Sequence, residues 1–375
     1  MNITSCSPDG EATIMDSEVV TLANRLQAFK TQAVKARTNF GVALTQKCHL
    51  GCDHCINNSL PNNNQELRPA QIRNLCSQLV ATKEFDTINL SGGEPFEVLG
   101  LLLEATKIIT SFGLRATVVT SASWAVSANA AYEMILPLHE RGLGALIVSR
   151  DEFHEARVPH SNVVWALKSS LRLGIVSAIN LTIGAGGKDS DELLKPIADG
   201  LNPDEFKRVQ INEAGLLRAG RALGLQPAIF GDDLEREIDP FVCNIAGPIL
   251  LANGEFVACC GAELPYTSPL RRGHCDTTDA GDMVRTVRTD PLVRMIRYLG
   301  LRRMAELVGP GLLRPELTTF IQDAHSVDLC TVCIRLLSDP ERVARLRHLA
   351  EDPQLKREMA RIAILFYGDS SNSEE

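Results

Sequence analysis

The chain has 375 residues, 45% apolar and 22% charged, with a formal net charge of −8 at pH 7. That composition supports one large domain with a smaller appendage, and it excludes global disorder, a collagen-like repeat and a disulfide-stapled miniprotein. An acidic total also argues against a large basic footprint for nucleic acid.

The leading segment MNITSCSPDGEATIMDSE has no basic patch followed by an apolar stretch, and no apolar run approaches the roughly 18 residues needed to cross a bilayer. A cytoplasmic location without a membrane partner is therefore expected. Within 1–39, Val19, Leu22, Leu26 and Phe29 recur at helical spacing and predict a helix over about 16–36. From Phe40 the pattern changes. Runs at 40–45, 86–91, 114–120, 143–149, 175–183 and 206–212 read as strands, with helical stretches at 69–82, 96–110, 127–138, 160–173 and 189–198 between them. The alternation implies an α/β fold with a parallel sheet under crossover helices, and since it ends near 213 the expectation is a partial (β/α)6 barrel, not a closed eight-unit one. Pro69 suits the first turn of a helix, and Asp189 or Ser190 can cap another.

Beyond 213 come GLLRAGRALG, a linker at 226–240, a hairpin from GPILL to EFVACC turning at Asn253-Gly254, and helical segments ending with one over 353–367. The expected boundaries are an N-terminal helical extension (1–39), the barrel (40–225), a smaller domain (226–340), a C-terminal helical segment (341–367) and a tail of disordered composition (368–375).

Eleven cysteines fall unevenly, as CHLGCDHC at 48–55, CC at 259–260 and CTVC at 330–333, a distribution that suits metal ligation better than a secreted disulfide framework. Cys48, Cys52 and Cys55 follow the first strand, so they are expected at the carboxyl edge of the sheet, where chemistry normally sits. Thiolates spaced C-x3-C-x2-C can converge on one metal centre. Zinc commonly takes four ligands, so the trio is a poor zinc pattern. A four-iron cluster held by three thiolates keeps one iron free to chelate another molecule.

In these residues the chain resembles the radical S-adenosylmethionine superfamily. CHLGCDHC matches its C-x3-C-x2-C signature, and SGGEP at 91–95 matches its second signature at the end of the second strand. The resemblance covers roughly 40–213 and implies a [4Fe-4S] cluster whose open iron is chelated by the amino and carboxylate groups of S-adenosyl-L-methionine. An electron from the cluster then cleaves the sulfonium and releases a 5'-deoxyadenosyl radical, which abstracts a substrate hydrogen. It implies an electron donor such as flavodoxin or ferredoxin. It also places Ser91, Gly92, Gly93, Glu94 and Pro95 at the cofactor, the glycines being expected to let backbone approach the bound amino group. By strand order, Thr120 and Ser121 close the third strand, Ser149 the fourth, Asn180 the fifth, and Gln210 and Ile211 the sixth beside the adenine. His54 stands where family members often have an aromatic, and it reads as a supporting or partly exposed residue in preference to an iron ligand.

SRDEFHE at 149–155 is dense in ionisable groups. Asp151, Glu152 and His154 are candidates for catalytic roles, and Glu155 and Arg157 for orienting substrate or cofactor, Arg157 as a cofactor-binding residue; the alternative is a solvated loop-to-helix cap. Arg218 or Arg221 could meet an anion or form an inter-domain salt bridge.

In the smaller domain, Cys243, Cys259, Cys330 and Cys333 form the best quartet for one fully ligated auxiliary [4Fe-4S] cluster. The segment resembles the twitch and SPASM domains of radical enzymes, particularly through G-x4-C from Gly254 to Cys259, but lacks the further cysteines of a full SPASM domain. Cys260 or Cys275 could replace one ligand, zinc could occupy the four thiolates, and a free Cys260 could donate a hydrogen atom to a substrate radical. Cys6 and Cys76 read as ordinary thiols, Cys76 on the apolar face of a helix.

The resemblance implies oxidative or epimerising modification of a ribosomally made peptide, with a separate peptide-recognition protein as a candidate partner. The alternatives are a dehydrogenase or related enzyme acting on a carbohydrate or other small metabolite, and a noncatalytic metal-binding protein. Arg285, Arg288, Arg294, Arg297, Arg302 and Arg303 form a basic stretch, but with no aromatic platform beside it the stretch reads as a solvated helical face, not an RNA surface.

Overall fold

A computed structural model describes residues 38–184, 187–217, 219–225, 243, 247–259, 264, 267–308 and 329–367. Six strands, β1 (Asn39–Thr45), β2 (Thr87–Gly92), β3 (Arg115–Thr120), β4 (Leu143–Arg150), β5 (Val176–Ile183) and β6 (Val209–Gly215), pair in parallel and in chain order. The crossovers carry α1 (Pro69–Thr82), α2 (Leu99–Ser111), α3 (Ala128–Glu140), α4 (Glu152–Glu155) with α5 (His160–Arg172), and α6 (Ser190–Gly200) with α7 (Pro203–Lys207). The strands read as apolar runs because helices cover the sheet: Val42, Leu44, Ile88, Leu90, Val118, Leu146, Val148 and Ile179 are all fully buried. This is the expected partial (β/α)6 arrangement.

The sheet does not stop at β1. β7 (Ile249–Leu250) pairs with β1 in parallel, and β8 (Glu255–Val257) and β9 (Arg271–His274) continue antiparallel, giving the order β6-β5-β4-β3-β2-β1-β7-β8-β9. The expected hairpin forms, with Gly254 at φ +86° and its Cα facing the His274 ring, so that a side chain there would meet both strain and a clash. Phe40 on β1 packs edge-on against Phe85 (ring centroids 5.5 Å apart) and Phe256 of β8 (6.3 Å), so side chains as well as backbone join the hairpin to the barrel. Burying an aromatic of this size contributes roughly 2–3 kcal/mol.

Three local expectations change. Phe206 and Lys207 belong to α7, because Asn202 and Glu205 form a capping box around its first turn, and β6 starts at Val209. β9, with the sequence RRGH, was not expected; it is a strand only through its pairing with β8. The helix expected from 96 opens as a 3-10 turn, Pro95–Val98, before α2. The 16–36 helix, the 226–240 linker and the 368–375 tail lie outside the described residues.

The remaining helices are α8 (Ala280–Thr289), α9 (Pro291–Tyr298), α10 (Gly300–Val308), α11 (Leu329–Leu337), α12 (Pro340–Ala350) and α13 (Pro353–Tyr367). Asp290 ties them to β9: it caps α9 at Leu292 N (2.8 Å) and accepts from Arg272 (2.7 Å) and Arg347 (3.1 Å). The arginine stretch is not one solvated face, since Arg297 is buried against Tyr298 and Arg288 pairs with Glu84, whereas Arg285, paired with Asp282, and Arg303 are exposed as expected. No helix among the described residues is long and apolar enough to cross a membrane.

Candidate functional site

The cysteine loop leaves β1 and is braced by its own backbone: Cys48 N donates to Leu60 O (3.2 Å), Leu60 N to Gln46 O (3.2 Å), and Cys55 N to Cys52 O (3.1 Å). SGGEP lies directly beneath it. Gly93 N donates to Thr45 O (2.6 Å) and Glu94 N to Lys47 O (2.8 Å), while Asn57 of the loop donates to Gly92 O (3.2 Å). The two glycines also meet a requirement of the fold itself. Gly92 sits at φ +130°, and a Cβ on either residue would overlap the backbone of Thr45 or Lys47, so the close approach they permit is to the chain's own β1 exit.

Glu94 is buried and holds two strand ends together. Its carboxylate accepts from Phe96 N (3.2 Å), Thr120 Oγ1 (2.7 Å), Ser121 N (2.9 Å) and Ser121 Oγ (2.5 Å). The Thr120 hydroxyl also accepts from Trp124 Nε1 (2.8 Å), so this side chain, expected at the cofactor, is occupied within the protein.

Two arginines hold the loop from outside. Arg157 Nε donates to Leu50 O (2.8 Å), and its guanidinium lies 3.5 Å from Asp53. Arg221, in the 3-10 turn Gly220–Gly224, donates to Cys52 O (2.9 Å) and Ser59 O (2.8 Å), and its own N–H reaches Cys55 O (3.0 Å). Both therefore serve as loop braces: the observed partners of Arg157 are loop carbonyls and Asp53, and those of Arg221 are the loop carbonyls of Cys52, Cys55 and Ser59, with no acidic partner among the described residues. Arg218 lies outside the described residues. Arg221→Ala leaves two loop carbonyls without their charged donor. It is expected to lower stability by about 2 kcal/mol, with Arg221→Lys falling between, as measured by the denaturant midpoint of the metal-free chain.

His54 and the β4 exit meet. Asp151, 1% exposed, caps α4 by accepting from His154 N (2.7 Å), and its other oxygen meets His154 Nδ1 (2.6 Å) and His54 Nε2 (3.2 Å). Burial alone would raise the Asp151 carboxyl, but the bonds from His154 and His54 outweigh it and hold the group well below the usual carboxylate range. His54 is 8% exposed and stacks on Phe153 with ring centroids 4.6 Å apart. The sequence reads it as supporting or partly exposed; it is buried, and no spacing rule predicts a partner so far along the chain. Glu155 pairs with the buried Arg150 (2.8 Å) and with Lys188 (2.5 Å), and Glu152 is half-buried beside Gly187.

Across the strand ends, Ser149, Asn180 and Asn212 stand in one register row, and Asn212 Nδ2 donates to Asn180 Oδ1 (3.0 Å). Asn212 was missed by sequence reasoning, which singled out its neighbour Ile211, 38% exposed. Ser91, Ser149 and Asn180 are half-buried, and Pro95 is buried.

The three loop thiols are free. Burial lifts Cys48 to about 11 and Cys52 to about 12, with neighbouring loop thiolates adding to the rise. Thiols that influence one another in one loop are a donor set suited to a metal–sulfur cluster, whose binding must release their protons. Cys243, Cys259, Cys330 and Cys333 also come together: burial pushes the Cys333 thiol up, followed by the charges of Cys259, Cys243 and Cys330. Cys275 instead lies beside Asp276 and Arg68. Cys76 is buried in α1 as expected, while Cys6 and Cys260 lie outside the described residues.

Residues 38–137 match the family model described as a 4Fe-4S single cluster domain. The chain is 24% identical over 177 residues to YydG of Bacillus subtilis (strain 168), named for peptide biosynthesis, covering 46% of this chain and 55% of that protein. It is 26% identical over 110 residues to a protein of Methanothermobacter marburgensis named as a GTP 3',8-cyclase, covering 29% of this chain and 34% of that one. The chain thus spans about half the length of the first relative and a third of the second. Among solved structures it is similar to BtrN in complex with AdoMet and 2-DOIA, with a TM-score of 0.43 and 14% identity, covering 71% of this chain and 89% of that one. In the paired CHLGCDHC and SGGEP signatures, the cluster-domain match over 38–137 and the six-stranded parallel unit, the chain is similar to radical S-adenosylmethionine enzymes.

Proposed function

We propose that this enzyme modifies a ribosomally made peptide, oxidatively or by epimerisation, through hydrogen abstraction at a side chain or α-carbon. The observation that carries this is the site itself: three free, mutually interacting thiols in one loop at the sheet's carboxyl edge, seated on the SGGEP backbone. Cys48, Cys52 and Cys55 would hold a [4Fe-4S] cluster with one open iron. When bound, the reduced cluster and S-adenosyl-L-methionine supply a one-electron cleavage that yields the 5'-deoxyadenosyl radical. The protein's part is to orient and to exclude water. SGGEP fixes the loop, the Ser149–Asn180 row offers hydroxyl and amide groups to the cofactor's polar atoms, and Ile211 offers an apolar surface to its base. Asp151, Glu152 and His154 stand at the same edge as candidates for substrate positioning and proton transfer.

The peptide assignment is supported by the likeness to YydG. The gathering of Cys243, Cys259, Cys330 and Cys333 supports one auxiliary [4Fe-4S] cluster, suited to accepting an electron from a substrate radical. The likeness to a GTP 3',8-cyclase favours a second reading, a small-metabolite substrate. The free thiols suit a reducing cytoplasm, where flavodoxin or ferredoxin would be the electron donor and a separate recognition protein could present the peptide.

The test is anaerobic reconstitution followed by iron and sulfide analysis and mass spectrometry for 5'-deoxyadenosine. The wild type is expected to bind about eight irons and form 5'-deoxyadenosine, and the Cys48/Cys52/Cys55 triple alanine to retain about four and form none. A fully loaded, reducible wild type that forms no 5'-deoxyadenosine would overturn the assignment. Deuterium lost from labelled peptides, and not from labelled metabolites, separates the two substrate classes.

A further inference from the structure

We propose that Asp151 is a positioning residue for the cysteine loop, holding the Cys52–Cys55 turn at the sheet edge through the imidazole of His54. Asp151 is itself immobilised. It directly follows β4 as the N-cap of α4, is 1% exposed, and is fixed by the bond from His154 N to Oδ1 (2.7 Å). Its Oδ2 is left to meet two imidazoles, His154 Nδ1 at 2.6 Å and His54 Nε2 at 3.2 Å. His54 is thereby held on three sides: at Nε2 by the carboxylate (3.2 Å), on its face by Phe153 (ring centroids 4.6 Å apart, planes at 18°), and edge-on by His154 (5.0 Å, 82°).

The loop cannot shift without the ring. His54 directly precedes Cys55 and comes two residues after Cys52, and the hydrogen bond from Cys55 N to Cys52 O closes the turn around it. The pair is also mutually dependent. His54 Nδ1 is already buried without a hydrogen-bond partner, so removing the carboxylate would orphan the second ring nitrogen in the same buried place. A phenyl ring at 54 would keep the stack on Phe153 and have no need of the carboxylate. Arg157 and Arg221 brace the loop's carbonyls; the imidazole tie adds a side-chain anchor between two of the thiols.

The inference rests on the proposed iron-holding role of the thiols, and its test reads iron retention without S-adenosyl-L-methionine. The reconstituted full chain, its D151A, H54F and H54F/D151A variants, and the triple-alanine chain as the blank for iron held elsewhere, are exposed anaerobically to an iron chelator. D151A is expected to release loop iron about tenfold faster than wild type, in the range seen for lost partners of metal ligands. H54F and the double variant should both stay near wild type, because the imidazole within the loop is gone; the His154 ring, which D151A and the double variant both leave without its carboxylate, lies outside the loop. Wild-type release from D151A would overturn the proposal. So would a double variant as leaky as D151A, which is also what a merely loosened fold would give. A wild type that holds loop iron but makes no 5'-deoxyadenosine would overturn the proposed reaction and leave the positioning role standing; one that holds no loop iron would overturn both.

Discussion

Gly93→Ala is expected to cost about 3 kcal/mol of stability and to strip iron from the cysteine loop. The methyl group has nowhere to go. Its carbon would overlap the Lys47 carbonyl, and that carbonyl is fixed where it is by the Glu94 N–H at 2.8 Å. Relief requires parting β2 from the β1 exit, which breaks the bonds that seat the cysteine loop. A loss of this size is a large fraction of the roughly 5–15 kcal/mol that folds a typical domain. Urea denaturation of the metal-free chain and iron per reconstituted chain check it together. A wild-type midpoint with full iron would mean that the edge yields without cost.

Asp290→Ala is expected to destabilise the chain by about 3 kcal/mol at neutral pH, because it strands buried arginine charge and removes the cap of α9. Burial by itself would raise the Asp290 carboxyl; hydrogen bonds from Arg347 and Arg272 outweigh burial and lower it. The sign follows from that direction. A carboxyl depressed in the folded state contributes its full stability above its unfolded pKa of about 3.9, and loses it as pH falls through the folded value. The gap between wild type and variant should accordingly be constant from about pH 5 to 8 and narrow under acid. Asp290→Asn, which can still accept from Leu292 N, should fall between the two. Denaturant midpoints across pH measure all three; a gap that widened under acid would contradict the pairing.

Much of the barrel was legible because β1 to β5 are largely buried and announce themselves as apolar runs separated by helical periodicity, whereas β6 is mostly exposed. The helix at 69–82 was placed to the residue, since Pro69 fixes its first turn and Lys83, in the left-handed region, ends it. β9 was not legible, because RRGH has no strand signal apart from the partner it pairs with. The cysteine trio and SGGEP could be read because local spacing encodes them. What surrounds them could not: Arg221 on Cys52 O, Asn57 on Gly92 O and Asp151 on His54 are meetings between distant segments, set by how strands align and not by any spacing along the chain. The packing of Gly92 and Gly93 on the β1 exit was equally hidden, since a sequence records that a side chain is missing without saying which neighbour requires its absence.

The pairing of β7 with β1 also has a consequence for how the chain is made. Gly41 and Val42 find their second neighbours in Ile249 and Leu250, so one side of the first strand stays bare until the ribosome has passed the hairpin. At roughly 5–20 residues per second that interval is on the order of 10–40 s, during which an exposed strand rim, with Phe40 lacking its Phe256 contact, is open to pairing with other chains. The later-made hairpin therefore acts as a seal on the first strand, and closing it protects the nascent barrel from aggregation.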